Sequence, residues 1–512
     1  MFFPEQINVT TILNRVSCSL SRQGHQGYAV GGVIRDWLLG RRTNDVDIAV
    51  NGNSLDIARE IAEDLSGKFV LLDEANKIAR VIVLEKEQQW HLDFSPFAGN
   101  IEADLARRDF TIDAMAIELN QFAVAISQSP EYSEETVKQS QLKIIDPFSG
   151  KKDLENKTVR AVTEGIFESD AARLLRAIRL AAELNFTVEP KTEGLIRHCS
   201  QLITRVPGER VREELLRLLS LSQAAQHLRY LDNLGLLMAL VPELAASKGV
   251  EQPTVHFWDV FEHSLQTVAA VEFLMRENAW EYGYEDMLAL APWSDSIAQH
   301  LLQKVSEGSN HRVLLKLGGL FHDIAKPKTK TVDATGRAHF LGHTKQGAVM
   351  TASILERLRF SNKEINLVEN LVYHHLHPVQ MANDGLPTKR AIYRYFRDTG
   401  DAGIDILLLA LSDYLASRGP LANMKEWEEN CRLINYILTE HEKQQVVILP
   451  VRLINGHDLI NIFGLTPGPL IGQLLALVYE AQASGELTTK EEALALIHKE
   501  LNNQQCGARP GN

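Results

Sequence analysis

Residues 28–50 read YAVGGVIRDWLLGRRTNDVDIAV, and the order of features in this stretch decides the fold. A short β-like run ends in Gly31-Gly32. Val33–Leu39 then has helical spacing of apolar residues, after which Val46, Ile48 and Val50 alternate with Asp45, Asp47 and Ala49. The pattern is strand, turn, helix, strand. Side-chain direction on a strand repeats every second residue, so Asp45 and Asp47 project from one face. Two converging carboxylates repel, and a hard divalent cation such as Mg²⁺ relieves the repulsion while also taking phosphate oxygens. Gly31 and Gly32 precede a helix and carry no Cβ, so their backbone N–H groups are open to an anion. A D-x-D or a Gly-Gly alone is most often a solvated edge or a turn. In this order and one helix apart, the pair points to a metal-bound triphosphate.

The rest of the chain sets the frame. At 512 residues it exceeds what one hydrophobic core supports, so several domains are expected. No apolar run approaches the ~20 residues of a membrane span, and MFFPEQINVT lacks a basic segment followed by an apolar one. The expectation is a cytoplasmic protein that makes no membrane contact. Cys18, Cys199, Cys431 and Cys506 are scattered and form no metal-type pair, which fits reduced thiols. A formal charge of −13 argues against wholesale coating of nucleic acid; residues 160–230, with eleven Lys or Arg against nine Asp or Glu, are where a local RNA contact belongs.

Along the chain, Leu55–Leu65 reads as a helix, and Lys68–Leu72, Ile78–Leu84 and His91–Phe97 read as strands. Residues 28–163 are therefore an α/β or α+β domain. Residues 121–141 break the periodicity and read as a polar surface insertion, and from Ser169 the pattern is helical almost to the end.

Three further stretches carry chemistry. In ARRDFTIDAMAIEL, Arg107 and Arg108 suit phosphate oxygens and Asp109 a ribose hydroxyl, although a surface ion-pair cluster reads the same way. In HLDFSPF, Asp93 sits in an apolar alternating strand where a carboxylate is costly unless paired or metal-bound, so it is a candidate third metal ligand. In ESDAARLLRAIRLAAEL, with Ser169 as N-cap, Asp170 and Arg173 lie three apart on one helix face. Such a pair either supports the helix or offers a hydrogen-bonding edge that accepts the amine of cytosine or adenine and rejects the carbonyl of guanine or uracil.

The series GG-x-x-RD-x-x-L-G with D-x-D, RRDFT-x-x-A, DP-x-x-G-x-x-DL and D-x-x-R-x-x-RA-x-R resembles class II tRNA nucleotidyltransferases and bacterial poly(A) polymerases over residues 25–235. The resemblance implies an α+β protein with a polymerase-β-like, palm-like head followed by an all-helical neck, body and tail. It places the head at 1–165, a base-selecting and RNA-binding neck at 166–250, a body at 251–420 and a tail at 421–512. By the same resemblance Asp45 and Asp47 would hold catalytic Mg²⁺, and Gly31, Gly32 and Arg35 the triphosphate. Arg108 and Asp109 would meet the nucleotide's phosphate and sugar, Asp170 and Arg173 its base, with Arg176 and Arg179 continuing the motif and Arg210 supporting it. Ser169 stands where the family usually has an acid, and Asp93 lies outside the matched positions.

A second resemblance covers the body. His263 in FEHSL, His322-Asp323 in HDIAKP and Asp413 in LSDY resemble the pattern of HD-superfamily phosphohydrolases, a set suited to Mn²⁺, Ni²⁺ or Mg²⁺. His343, His374 and His375 are candidates for a second metal, and both an active and a silent HD fold satisfy the pattern. The implied activity is template-free construction of the tRNA 3′-terminal CCA from CTP and ATP. The alternatives are poly(A) synthesis, an HD phosphohydrolase with a disused head, or a non-enzymatic tRNA-binding protein. In complete CCA-adding members a flexible charged loop precedes the RRD motif; here Ser95–Ala106 reads largely as a short helix. The expectation is a CC-adding enzyme with a companion that adds the final A.

Overall fold

The computed structural model describes residues 9–85, 88–128, 142–253, 256–382, 385–446, 453–483 and 485–507. The chain divides into two compact units, 1–206 with 233–240, and 207–232 with 241–512, so residues of the expected neck fall in both. No helix among the described residues is long and apolar enough to cross a membrane.

The first unit is built on a six-stranded sheet. Its elements are α1 (Val9–Arg22), β1 (Gly27–Val30), α2 (Gly32–Leu38), β2 (Asp45–Val50), α3 (Ser54–Leu65), β3 (Lys68–Asp73), β4 (Ile78–Glu85) and β5 (Gln88–Pro96), followed by α4 (Ile101–Leu105), β6 (Ala116–Glu118) and α5 (Leu119–Gln128). Strand order is β3-β4-β5-β2-β1-β6; β2 and β5 run parallel and the remaining neighbours antiparallel. Val46, Ile48 and Val50 alternate into the core, leaving Asp45 and Asp47 on the opposite face, as the period of two requires. In α3, Asn53 caps the N-terminus by accepting from the Leu55 N–H, and Ile57, Ala58, Ile61, Ala62 and Leu65 bury one helical stripe. Asn100 caps α4, accepting from the Ala103 N–H at 3.0 Å, so the Ser95–Ala106 connection contains the expected short helix.

Two expectations change here. Residues 119–128 are a helix, not part of a polar insertion, because Leu119, Phe122, Ala123 and Ile126 recur at helical spacing and are buried; residues 129–141 lie outside the described residues. The helix expected from Ser169 breaks in two, α6 (Ile166–Ser169) and α7 (Arg173–Leu184). Asp170 between them is extended, with φ −153° and ψ 102°.

Among its described residues the second unit is helical apart from two small two-stranded pieces, Lys304–Ser306 with Ser309–Asn310 and Thr331–Val332 with Ala338–His339. Its principal elements are α8 (Gly208–Ser220), α9 (Ala224–Asn233), α10 (Val260–Leu274), α11 (Asp295–Leu302), α12 (His311–Phe321), α13 (His343–Arg357), α14 (Asn362–His374) and α15 (Gly403–Arg418). α12 packs on α10, α14 and α15, and α13 packs on α14. Lys316, buried in α12, organises the ends of two other helices. Its Nζ donates to the carbonyls of Leu219 and Leu221 at the end of α8, at 2.9 and 3.0 Å, and to Glu272 Oε1 at 3.1 Å. The same Glu272 oxygen accepts from the Ala224 N–H at the start of α9, at 2.8 Å. Lys316 also pairs with Glu277 Oε2 at 2.7 Å, and this buried lysine with Glu272 satisfies the C-terminus of α8 and the N-terminus of α9. Toward the chain end, Gly456–Phe463, Pro469–Ala483 and Lys490–Gly507 share a core that includes Leu459, Leu474, Val478 and Ile497.

Candidate active sites in the two units

In the first unit, β2 and β5 lie in parallel register with Asp47 opposite Asp93 and Asp45 opposite His91. Asp45, Asp47 and Asp93 therefore share one face. Asp45 is exposed, and its Oδ1 lies 2.8 Å from His91 Nδ1. Asp93 is not an open ligand: both its oxygens accept from Arg80, Nε at 2.7 Å and Nη2 at 2.8 Å. Burial pushes the Asp47 carboxyl up to about 6, with Arg108 opposing and Asp93 adding to the rise. This is the environment of an acid that a cation would return to its charged form, and an Mg²⁺-type ion fits it.

Gly31 caps α2 at φ +76°. A Cβ there would fall 2.5 Å from Arg108 Nη1 and 2.9 Å from Asp47 Oδ2. The glycine is what allows the arginine and the carboxylate to close on the turn. Arg108 is further held by Asp104, 3.5 Å from its Nε, and Asp104 also accepts from Arg107 at 2.6 Å.

Arg35 is placed differently from the expected triphosphate contact. It is buried, donates from Nη1 to Asp113 Oδ1 at 2.7 Å, and turns Nε and Nη2 to Asp36 at 3.0 and 3.1 Å. Asp113 is the acid that sequence reading missed, although it stands in the same ARRDFTID stretch. Burial works to raise its carboxyl, but Arg35, Arg176, Arg108 and Arg179 together hold it below the usual range. Arg176 links two acids, its Nε 2.7 Å from Asp109 Oδ2 and its Nη2 3.6 Å from Asp113 Oδ2. Arg179 is buried and donates to Glu183 at 2.5 Å, which also accepts from Arg41 at 3.2 Å.

Asp170 and Arg173 do not share a helix face. Asp170 precedes α7, its Oδ1 accepting from the Ala172 N–H at 3.2 Å while its carbonyl accepts from the Arg173 N–H. Arg173 donates to the carbonyls of Ile166 and Arg107 at 3.3 and 3.1 Å and to Ser169 Oγ at 3.1 Å. The missing acid at position 169 thus leaves a hydroxyl that receives the arginine. Sequence spacing alone could not reveal the break between α6 and α7, because Ala171 and Ala172 fit a continuous helix equally well.

In the second unit, α10 supplies His263, the end of α12 His322 and Asp323, and α15 Asp413. His263 Nε2 lies 3.0 Å from Asp413 Oδ1, 3.4 Å from Asp323 Oδ2 and 3.1 Å from His322 Nε2. The other Asp323 oxygen, Oδ1, faces His343 Nε2 at 3.5 Å and His375 Nε2 at 3.8 Å. Asp323 therefore stands between two His-rich sets, each able to hold a metal ion. His374, a candidate for the second set, is not brought there: the last turn of α14 directs it to His377, with ring centroids 5.5 Å apart. Both Asp323 oxygens and His343 Nε2 are buried without a well-directed hydrogen bond, which fits them as ligands of a cation. Burial opposes charge on His322, yet Asp323 and Asp413 outweigh it and raise the imidazole to about 10; burial drives His375 down to about 3. Lys326, unremarked in HDIAKP, places Nζ 2.6 Å from Asp323 Oδ2 and donates to Gln252 Oε1 at 2.6 Å. A cavity of about 490 Å³ opens over this centre, lined by His256, Asp323, Lys326, His343, His375 and Asp413 among others.

Residues 27–160 match the family described as the poly A polymerase head domain, 185–248 the probable RNA and SrmB-binding site of polymerase A, and 260–417 the HD domain. The chain is 32% identical over 476 residues to an A-adding tRNA nucleotidyltransferase of Deinococcus radiodurans, covering 92% of this chain and 94% of the relative. It is 33% identical over 481 residues to a CC-adding tRNA nucleotidyltransferase of Thermus thermophilus, covering 92% of each. Among solved structures, a CCA-adding enzyme complex with ATP superposes with a TM-score of 0.63 at 21% identity, over 97% of this chain and 95% of that one. The Thermotoga maritima CCA-adding enzyme complexed with tRNA superposes with a TM-score of 0.56 at 21% identity, over 97% of this chain and all of that one.

Proposed function

We propose, from the premise that the chain belongs to the tRNA nucleotidyltransferase family, that it extends the tRNA 3′ end with CTP, and in the complete reaction ATP, using Asp45 and Asp47 as the catalytic carboxylates. The observation that carries the reading is Asp47, raised in proton affinity, beside the positive-φ Gly31 and Arg108. An Mg²⁺-type ion held by Asp45 and Asp47 supplies, when bound, Lewis-acid activation of the attacking hydroxyl and charge neutralisation at the triphosphate. Arg108 and the backbone of the Gly31 turn would orient the phosphates, and Asp109, paired with Arg176, would meet the sugar. Arg35 acts here by holding Asp113 among the arginines. The enzyme works in the cytoplasm on a tRNA lacking its end.

The short helix α4 in the Ser95–Ala106 connection supports CC addition, leaving the last A to a companion enzyme. Relatives named for CC addition and for A addition match at 33% and 32% identity, so assay decides between them. Purified protein is offered tRNAs ending at the discriminator base, at C and at CC, each with CTP or ATP. Conversion to the CC form followed by a stall with ATP is the expected result. Addition of A to the CC form makes the protein a CCA- or A-adding enzyme, and long A tails on a non-tRNA primer with ATP alone would make it a poly(A) polymerase.

The position of Asp323 between two histidine sets favours a second activity, metal-dependent phosphomonoester or phosphodiester hydrolysis on phosphorylated RNA ends. His263, His322, Asp323 and Asp413 would hold one Mn²⁺, Ni²⁺ or Mg²⁺ ion, with His343 and His375 serving a second. Lys326 at the cavity presents a positive charge to a phosphate. No hydrolysis with any of the three metals would leave the HD fold as scaffold.

A further inference from the structure

A second histidine–aspartate cluster lies in the HD helices, apart from the centre described above. His300 on α11, His311 at the first position of α12 and Asp405 on α15 are all buried. His311 Nδ1 lies 2.6 Å from Asp405 Oδ2, and His300 Nε2 lies 3.2 Å from the same oxygen. The two rings sit 4.2 Å apart between centroids. Asp405 Oδ1 has no hydrogen-bond partner although Asp405 is fully buried. The neighbouring phenol of Tyr395 does not serve it, because that hydroxyl donates to the Gly403 carbonyl at 2.6 Å. A fully buried carboxylate is costly unless its charge is met on both oxygens.

We propose that His300, His311 and Asp405 form a structural binding site for a borderline transition-metal cation of the zinc class, separate from the HD centre. Two imidazoles and one carboxylate make an N₂O donor set, which suits Zn²⁺ and disfavours Mg²⁺, an oxygen-seeking ion. The three ligand atoms already lie within 4.8 Å of one another. Metal–ligand bonds of ~2.0–2.2 Å put tetrahedral neighbours ~3.3–3.6 Å apart, so the His300 spacing is nearly met and the His311 contact opens by ~0.7–1 Å. The unpartnered Oδ1 completes the shell or orders a water in the fourth position.

The site's place in the fold gives it a purpose. His311 and His322 are eleven residues apart on α12, three helical turns and ~16 Å along one face. Asp405 and Asp413 are eight apart on α15, ~12 Å. The same pair of helices therefore carries the HD centre at one end and this cluster at the other, and a cation here fixes α11, α12 and α15 together where the HD ligands cannot reach.

The test uses the full chain with the HD centre emptied by His322→Ala and Asp323→Ala. After incubation with Zn²⁺ and gel filtration, bound metal is measured by plasma mass spectrometry. The expected result is about one equivalent retained per chain, lost on adding Asp405→Asn, with Co²⁺ in place of Zn²⁺ giving tetrahedral visible bands that vanish with the same change. Zn²⁺ retention at background in the folded, HD-emptied chain would overturn the proposal and leave a hydrogen-bonded His–Asp–His latch. Should the emptied or Asp405 variants fail to fold, His300→Gln in the otherwise native chain decides. Glutamine keeps a donor for a latch but is a poor metal ligand, so this variant must fold and hold about one equivalent less than the native chain; equal metal content overturns the site.

Discussion

Asp47 combines a carboxyl raised to about 6 with a position beside Gly31 and Arg108, and this combination has a measurable consequence. Proton and cation compete for the same oxygens, so nucleotide addition falls as pH drops through about 6, and raising Mg²⁺ moves that fall to lower pH. A pH profile at two Mg²⁺ concentrations reads the shift; a midpoint indifferent to Mg²⁺ would show that Asp47 does not hold the ion. Asp45→Ala and Asp47→Ala should each lower the addition rate on the order of 10²–10³-fold or more with the fold kept by circular dichroism. Asp93 differs from both because Arg80 takes its two oxygens. Its charge adds instead to the rise at Asp47.

At the scale of elements, the start of α7 does more than one job. Asp170 Oδ1 closes the turn ahead of the helix by accepting from the Ala172 N–H, while standing where the family's base-selecting acid is expected. Asp170→Ala removes the turn bond and the base-facing carboxylate and should cost about 1 kcal/mol in addition to any change in nucleotide choice. Asp170→Asn keeps the acceptor of the turn bond. It is expected to hold the unfolding midpoint while raising misincorporation of UTP or GTP, and unchanged selectivity in that folded variant would refute the base-selecting role. In the second unit, Lys316→Met strips the α8 carbonyls of their donor and leaves Glu272 buried beside no cation. A loss of about 3 kcal/mol or more in urea unfolding is expected, reduced when Glu272→Gln is added.

At the scale of the whole molecule, the polymerase-head residues and the HD-domain cluster belong to two compact units. If both HD sets depend on Asp323, Asp323→Ala abolishes metal-dependent hydrolysis of phosphorylated RNA ends. His374→Ala leaves it within about threefold, since His374 packs on His377 away from the centre. A large loss from the His374 change would mean the second set is assembled differently.

The sequence by itself determined the local grammar. The alternation of Asp45 and Asp47 with Val46, Ile48 and Val50 decides which side chains turn inward, and Gly31-Gly32 before a helix decides the turn, because both follow from backbone periods and sterics within a few residues. The His322-Asp323 pair with His263 and Asp413 was legible in another way, through its resemblance to the HD pattern. Only the tertiary structure decided who faces whom. Pairing β2 with β5 set Asp47 against Asp93, and pairing β4 with β5 gave Asp93 to Arg80. Folding the RRD segment against α2 and α7 gathered the arginines around Asp113, and the end of α14 sent His375 to Asp323 but His374 away. Periodicity fixes a side chain's direction from its own backbone; its depth, its partners and therefore its charge are set by residues that sequence spacing leaves tens of positions apart.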